Sequence, residues 1–310
     1  MEQHVDARRR PAVWVALAAL YLIWGSTYLG IEVAMRTLPP LLMLSLRFLV
    51  AGAVLWLLVG RGQRPTLRHW RAAAVIGAAL LLFGNGGVAL AQETIDTGTV
   101  ALIVGSVPLW LALLDRVFLG QRLAPAAVAG LVVGFGGVAF LAGGVGGGSL
   151  GGAALVLVAS LAWAAGSLYA RRAAAPRRPL TGAALQMLVG GVLLGLAGLA
   201  RGEAGQVDPA AVSGESVAAL VYLIAFGSLV GFSAYVWLLR NAPTSLVGTY
   251  AYVNPVVAVA LGTLVLGEPL DARVLLGGGA ILAAVILIVS ARPIAAPAAR
   301  TGAVAPARAR

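Results

Sequence analysis

Ten stretches of mostly apolar residues dominate the sequence, at roughly 12–35, 41–60, 70–92, 97–118, 124–142, 151–170, 180–200, 216–239, 244–266 and 272–291. Each has about the length an α-helix needs to cross the hydrocarbon core of a bilayer, about 20 residues. The period-two alternation of an outer-membrane barrel is absent. The connecting segments are short, with 201–215 among the longest, which leaves no room for a soluble domain between the runs. The pattern predicts an all-α integral membrane bundle of ten transmembrane helices.

Composition agrees and narrows the chemistry. Hydrophobic residues make up 60% and charged ones 11% of the chain, against about 45–50% and about 25% in soluble domains. No cysteine is present, so neither a disulfide scaffold nor a thiolate metal site can be built, and His4 and His69 are the two imidazoles. No metal, cofactor or catalytic centre is expected. The net charge of +11 is carried by arginine alone, with no lysine. Such a balance suggests nucleic-acid binding when it gathers on one face, but here it is dispersed. Eighteen of the 22 basic residues fall at the ends of the runs on the N-terminal side. Arg36, Arg201 and Arg273 fall on the other side, and Arg47 lies within a run. The excess of arginine marks the cytoplasmic side, so both termini are placed there. Arg8–Arg10 before the first run look like the start of a signal peptide, but nine further runs follow, and an uncleaved first helix is expected.

The chain also repeats itself. Thr97, Pro108, Leu119-Gly120 and Leu123 recur as Thr244, Pro255, Leu266-Gly267 and Leu270 at a constant offset of 147, as does Gly84 as Gly231. Gly25-Ser26 and Tyr28 recur as Gly166-Ser167 and Tyr169, and Leu49-Val50 and Gly52 as Leu188-Val189 and Gly191. Two five-helix halves follow, 12–142 and 151–291, joined by a glycine-rich outer loop at 143–152 and followed by a flexible cytoplasmic tail at 292–310. Because five is odd, the second half enters the membrane inverted. Inverted repeats with a site at the midplane are a signature of secondary transporters.

These residues resemble the EamA-domain exporters of the drug/metabolite transporter superfamily. The resemblance rests on Trp24-Gly25-Ser26-Thr27-Tyr28, Arg47-Phe48 with Ala51-Gly52, Gly84-Asn85-Gly86 and the ninth run from Thr249 to Leu270. It implies ten helices in two inverted repeats, a cavity among helices 1–4 and 6–9 with helices 5 and 10 outside, and outward movement of metabolites or drugs across the bacterial inner membrane. Two positions depart from the pattern: Gln121, where the first repeat often has Glu, and Glu32, an unexpected acid at the outer end of the first helix.

The charge within a run singles out Arg47, about six residues or roughly 9 Å inside the second helix. A charge at that depth costs several kcal/mol unless it is paired or reaches water. It either snorkels, pairs with an acid such as Glu32 or Glu93, or meets a substrate carboxylate; its repeat partner is the neutral Gln186. Pro108 and Pro255 sit in mid-helix and predict paired hinges, since proline leaves the carbonyl four residues back unbonded. Trp24, Ser26, Thr27, Tyr28, Asn85, Trp163, Ser167, Thr249, Tyr250, Tyr252 and Asn254 complete the candidate cavity, whose aromatic walls and few hydroxyls suit a mid-sized organic solute. Helix packing and interfacial belts are the competing account for each. Glu32 and Glu93 are candidates for coupling or gating. Gly130 and Gly134 in the fifth helix and Gly277–Gly279 in the tenth are packing signals, which could serve a homodimer.

The expected partners are therefore a small-molecule substrate and the lipid bilayer, without nucleic acid. No Walker loop is present, so no nucleotide drives the cycle. The expected function is a secondary exporter of amino acids or related small metabolites, working by alternating access. The rivals are a multidrug or organic-cation pathway and an integral-membrane enzyme acting on lipid-linked substrate.

Overall fold

The computed structural model describes residues 10–120, 123–143 and 149–290. The tail 292–310, residues 144–148 of the glycine-rich loop and Gln121 lie outside these described residues. Ten helical segments account for the ten apolar runs: α1 (Arg10–Met35), α2 (Pro40–Val59), α3 (Leu67–Gln92), α4 (Thr97–Phe118), α5 (Pro125–Gly143), α6 (Ser149–Ala170), α7 (Pro179–Ala200), α8 (Gly214–Leu239), α9 (Tyr250–Leu266) and α10 (Ala272–Ser290). Nine are long and apolar enough to cross a membrane, and α9 is shorter. The run 244–266 is not one helix: Thr244–Val247 form a separate turn, and the chain re-enters helix at Tyr250. No strand occurs among the described residues.

Helix pairing follows a rule. The helix that occupies place n in the first half packs on place n+5 in the second at three seams, α2 with α7, α4 with α9, and α5 with α10. Other cross-half contacts come in exchangeable pairs: α1 packs on α8 and α9 as α6 packs on α3 and α4, and α2 packs on α8 as α7 packs on α3; α10 against α4 has no such counterpart.

Small residues set the closest of these approaches, as expected where lipid removes the hydrophobic drive between helices. In the α2–α7 seam a Cβ on Gly52 would lie 3.0 Å from Leu188 and Met187, and one on Gly191 2.8 Å from Leu49. Leu44, Phe48, Ala51 and Leu55 of α2 close the seam against Ala184, Met187 and Leu194 of α7. In the α5–α10 seam Gly130 faces Ile288 and Ala284, and Gly137 faces Ala280 and Gly277. Gly130, Gly134, Gly137, Gly277 and Gly278 are thus packed from within the chain, while Gly136 and Gly279 meet nothing within 4 Å of their Cβ positions.

The two prolines behave differently. Helix α4 is interrupted at Gly105–Ser106, and Pro108 sits in the first turn of the helix that resumes at Val107. There its missing N–H costs no helical bond. Pro255 lies inside a continuous helix from Tyr250 to Leu261, with its ring 3.4 Å from where a Cβ on Gly105 would stand. The expected pair of like kinks is therefore one break and one intact helix that lean on each other.

The candidate functional site

Arg47 is buried, 3% exposed, in the first half of α2. Its Nε donates to Ser228 Oγ of α8 at 3.0 Å, and its guanidinium carbon stands 4.8 Å from the centre of the Phe48 ring. Its Nη2 lies 3.0 Å from where a Cβ on Gly227 would be. Its Nη1 is buried and has no hydrogen-bond partner. The expected pairing with Glu32 or Glu93 does not occur: among the described residues Arg47 forms no salt bridge, and Glu93 is held by Arg201 at 2.8 Å. Arg47 is thus a buried cation with one nitrogen satisfied and one donor pair unused. Such a group is costly, and its unused donors point at what the site lacks, an acceptor.

The surroundings are built by α1 and α8. Ser26 bonds back to Leu22 O at 2.6 Å and meets the Tyr222 hydroxyl at 2.6 Å. Thr27 donates to Trp24 O and presents its methyl 3.1 Å from the Gly227 Cβ position. Trp24 Nε1 donates to Gly227 O at 3.2 Å. Beyond Trp24, towards the Leu239 end of α8 and the Tyr250 end of α9, lies an aromatic group. Trp24 meets Tyr235 and Tyr250 at 5.3 Å between ring centroids and Phe232 at 5.6 Å. Edge-to-face contacts of this kind add to simple burial. Thr249 joins Tyr21 through their hydroxyls.

A local backbone feature makes this possible. Residues Leu223–Val230 form a π-helical segment in α8, and Ala78–Asn85 form another in α3. Such wide turns are frequent at functional sites. Each is followed closely or contained by a glycine against a tryptophan of the other half: Gly231 against Trp24, and Gly84 against Trp163, where a Cβ would come within 2.8 Å of the ring.

Of the candidate residues, Trp24, Ser26, Thr27, Arg47, Thr249 and Tyr250 form one contiguous group. Tyr252 reaches its edge through a side-chain hydrogen bond with Thr249; the remaining candidates do not join it. Tyr28 and Tyr252 pack on the cluster of α3, α4, α6 and α10, and the Tyr28 carbonyl accepts from Gln92 Nε2 at 3.0 Å. Asn254 is buried on the far side of α1, its backbone oxygen 3.2 Å from the Gly25 Cβ position and its Oδ1 without a partner. Asn85 donates to Leu80 O of its own helix at 3.1 Å, and Gly84, Gly86 and Gly87 pack tightly, with Gly86–Gln92 forming regular helix. Ser167 and Gln186 are half-buried on α6 and α7. Sequence reasoning missed Tyr222, Gly227, Ser228, Phe232 and Tyr235, all on α8.

A second set of charges gathers at the end of the bundle that carries 36–39, 93–96, 201–213 and 267–271, the outer end by the arginine distribution. Neither α2 nor α4 caps its own N-terminus with a side chain. Glu203 and Glu268, both from the second half, do so instead. Glu203, fully buried, accepts from Leu42 N at 2.9 Å and Leu41 N at 3.0 Å. Glu268 accepts from Thr97 N at 2.7 Å and Gly98 N at 2.9 Å. Desolvation of its inward side, then the carboxylates of Glu268 and Asp271, hold the neighbouring Asp96 carboxyl above its ordinary value.

The chain belongs to the EamA-like transporter family, which matches residues 10–143 and 150–290. It is 40% identical over 292 residues to the uncharacterized inner membrane transporter YedA of Escherichia coli K12, covering 91% of this chain and 94% of that one. An uncharacterized transporter of Archaeoglobus fulgidus is 23% identical, covering 90% and 99% of the two chains. A solved crystal structure shares the fold with a TM-score of 0.61 at 20% identity, over 89% of this chain and 96% of that one. The protein is a membrane transporter of this family.

Proposed function

We propose that the chain is a secondary transporter that exports amino acids or related small metabolites across the bacterial inner membrane by alternating access of its two inverted halves. The observation that carries the substrate class is Arg47, buried and lacking an acid, with Nη1 unused. A carboxylate would supply the missing acceptor in the two-pronged geometry that guanidinium favours. An organic cation would meet uncompensated positive charge, which argues against the multidrug reading. Exchangeable helix pairing supports the inverted repeat, and the arginine distribution supports cytoplasmic termini. A dimer through α5 and α10 would have to use their exposed sides, Val132 and Val133 on one and Leu275 and Leu276 on the other.

Purified protein in proteoliposomes, assayed with labelled amino acids and with the corresponding amides, which lack the carboxylate, tests this reading. The expected result is a preference of at least about tenfold for the carboxylate, lost on Arg47→Ala, since each tenfold corresponds to about 1.4 kcal/mol of differential binding. Equal movement of acid and amide by the unaltered protein would sink it.

A further inference from the structure

The outer ends of α4 and α9 are joined by a site made for one carboxylate. Gly267, in the left-handed conformation at φ +72°, turns the chain back at the end of α9. The turn sets Glu268 beneath its own helix end, where Glu268 N donates to Gly262 O at 3.1 Å. Two glycines leave room for the acid. A Cβ on Gly262 would run into the Glu268 carboxylate, and one on Gly98 would stand 3.3 Å from Oε2. Both carboxylate oxygens then accept from the first free amides of α4, Thr97 N and Gly98 N. These amides carry the positive end of the helix dipole, so the contact is charge-assisted. Gly98 also packs on Val259 of α9, at 3.2–3.3 Å from its Cβ position.

We infer that Glu268 is a latch that closes the outer end of the pathway by tying α4 of the first half to α9 of the second, and that its release is a step in opening to the outside. The inference rests on the alternating-access reading. The repeat shows why the latch acts on one side: the position equivalent to Glu268 in the first half, 147 residues earlier, is the uncharged Gln121. At the cytoplasmic end no described carboxylate caps the N-terminus of α7; Arg178 and Thr181 donate to Val59 O at 3.3 and 3.5 Å, and Arg171 pairs with Asp115 of α4 at 3.4 Å. Glu268 is a positioning residue in this scheme and does not touch the substrate.

The natural absence of cysteine makes the test direct. Val259→Cys places a lone thiol in the contact that the latch protects. Its alkylation by a membrane-impermeant maleimide is followed from outside in intact cells and from inside in inverted vesicles. E268Q, which removes the charge, and Gly262→Ala, which evicts the carboxylate sterically, are each expected to raise the outside rate about tenfold, an effect equivalent to about 1.4 kcal/mol. E215Q breaks the exposed Arg36–Glu215 pair at the same end and should stay within about twofold, as exposed pairs contribute little. Outside rates in E268Q and Gly262→Ala that match the unaltered background, in protein whose thiol does respond to substrate, overturn the latch. If E268Q fails to accumulate, Gly262→Ala alone decides. A thiol that never changes exposure between the two sides in the unaltered background would instead overturn alternating access, and the latch with it.

Discussion

Helix α2 crosses α8, and α7 crosses α3, at positions that the repeat makes equivalent, yet the two crossings are filled with different chemistry. Arg47 and Ser228 meet in the first. Their counterparts, 139 and 147 residues away, are Gln186 and Leu81. In that second crossing Leu81 is buried at 3% exposure and fills the space that Gly190 leaves, while Gly77 lets the Gln186 backbone come within 2.9 Å of its Cβ position. The flanking tryptophan–glycine contacts, Trp24 on Gly231 and Trp163 on Gly84, are shared. The apolar crossing shows that this architecture closes without any charge. On the proposed reading, the cost of burying Arg47 is carried for substrate binding.

The largest effect expected from this contrast is a separation of function from stability. Arg47→Met should reduce carboxylate transport at least about a hundredfold, about 2.7 kcal/mol. Its melting temperature in detergent should be unchanged or higher, because replacing buried charge by a packed apolar chain is often neutral or stabilising. A large fall in melting temperature would assign Arg47 to the scaffold. The reverse graft, Gln186→Arg, puts a charge opposite Leu81 with no hydroxyl to receive it. It should cost about 3 kcal/mol or more, seen as lost folded yield in detergent, and adding Leu81→Ser should recover part of that loss. Ser228→Ala deprives Arg47 Nε of its acceptor, a change of about 1–3 kcal/mol. Its expected readout is a roughly tenfold rise in KM for the carboxylate with a smaller change in maximal rate. Asn85→Ala is the smallest, about 0.5–1.5 kcal/mol, because its amide serves Leu80 O within one helix. Melting should register it while substrate affinity stays the same; a change in affinity would bring the α3 segment into the site.

Much of this was legible in the residues themselves. Ten apolar runs announce ten helical segments because backbone groups in lipid must bond within their own segment. Arg47 stands out because a guanidinium in a run of leucine and valine has no cheap explanation. What surrounds it does not announce itself. Ser228 is one serine in an apolar run, and Gly227 one glycine among 41, so their importance appears when α8 is laid across α2, 181 positions away in the chain. The π-helical turns leave no mark on a hydropathy pattern. Pro108 and Pro255 look equivalent in sequence, yet the α4 break falls at Gly105–Ser106 and α9 continues through its proline. Glu268 reads as an ordinary solvated end charge until the turn at Gly267 aims it at α4.

The three seams in which place n meets place n+5 have a consequence for assembly. A contact of a surface with its own counterpart is the contact made by two copies related by a two-fold axis. Here the copies are covalently joined, so α2–α7, α4–α9 and α5–α10 together behave as the interface of a dimer whose subunits share one polypeptide. Residues 1–146 and 147–310, made as separate chains in one cell, should insert independently and find each other through those seams. Because Arg47 belongs to one fragment and Ser228 to the other, neither fragment carries the polar crossing on its own. Activity in such a split transporter would measure reassembly directly.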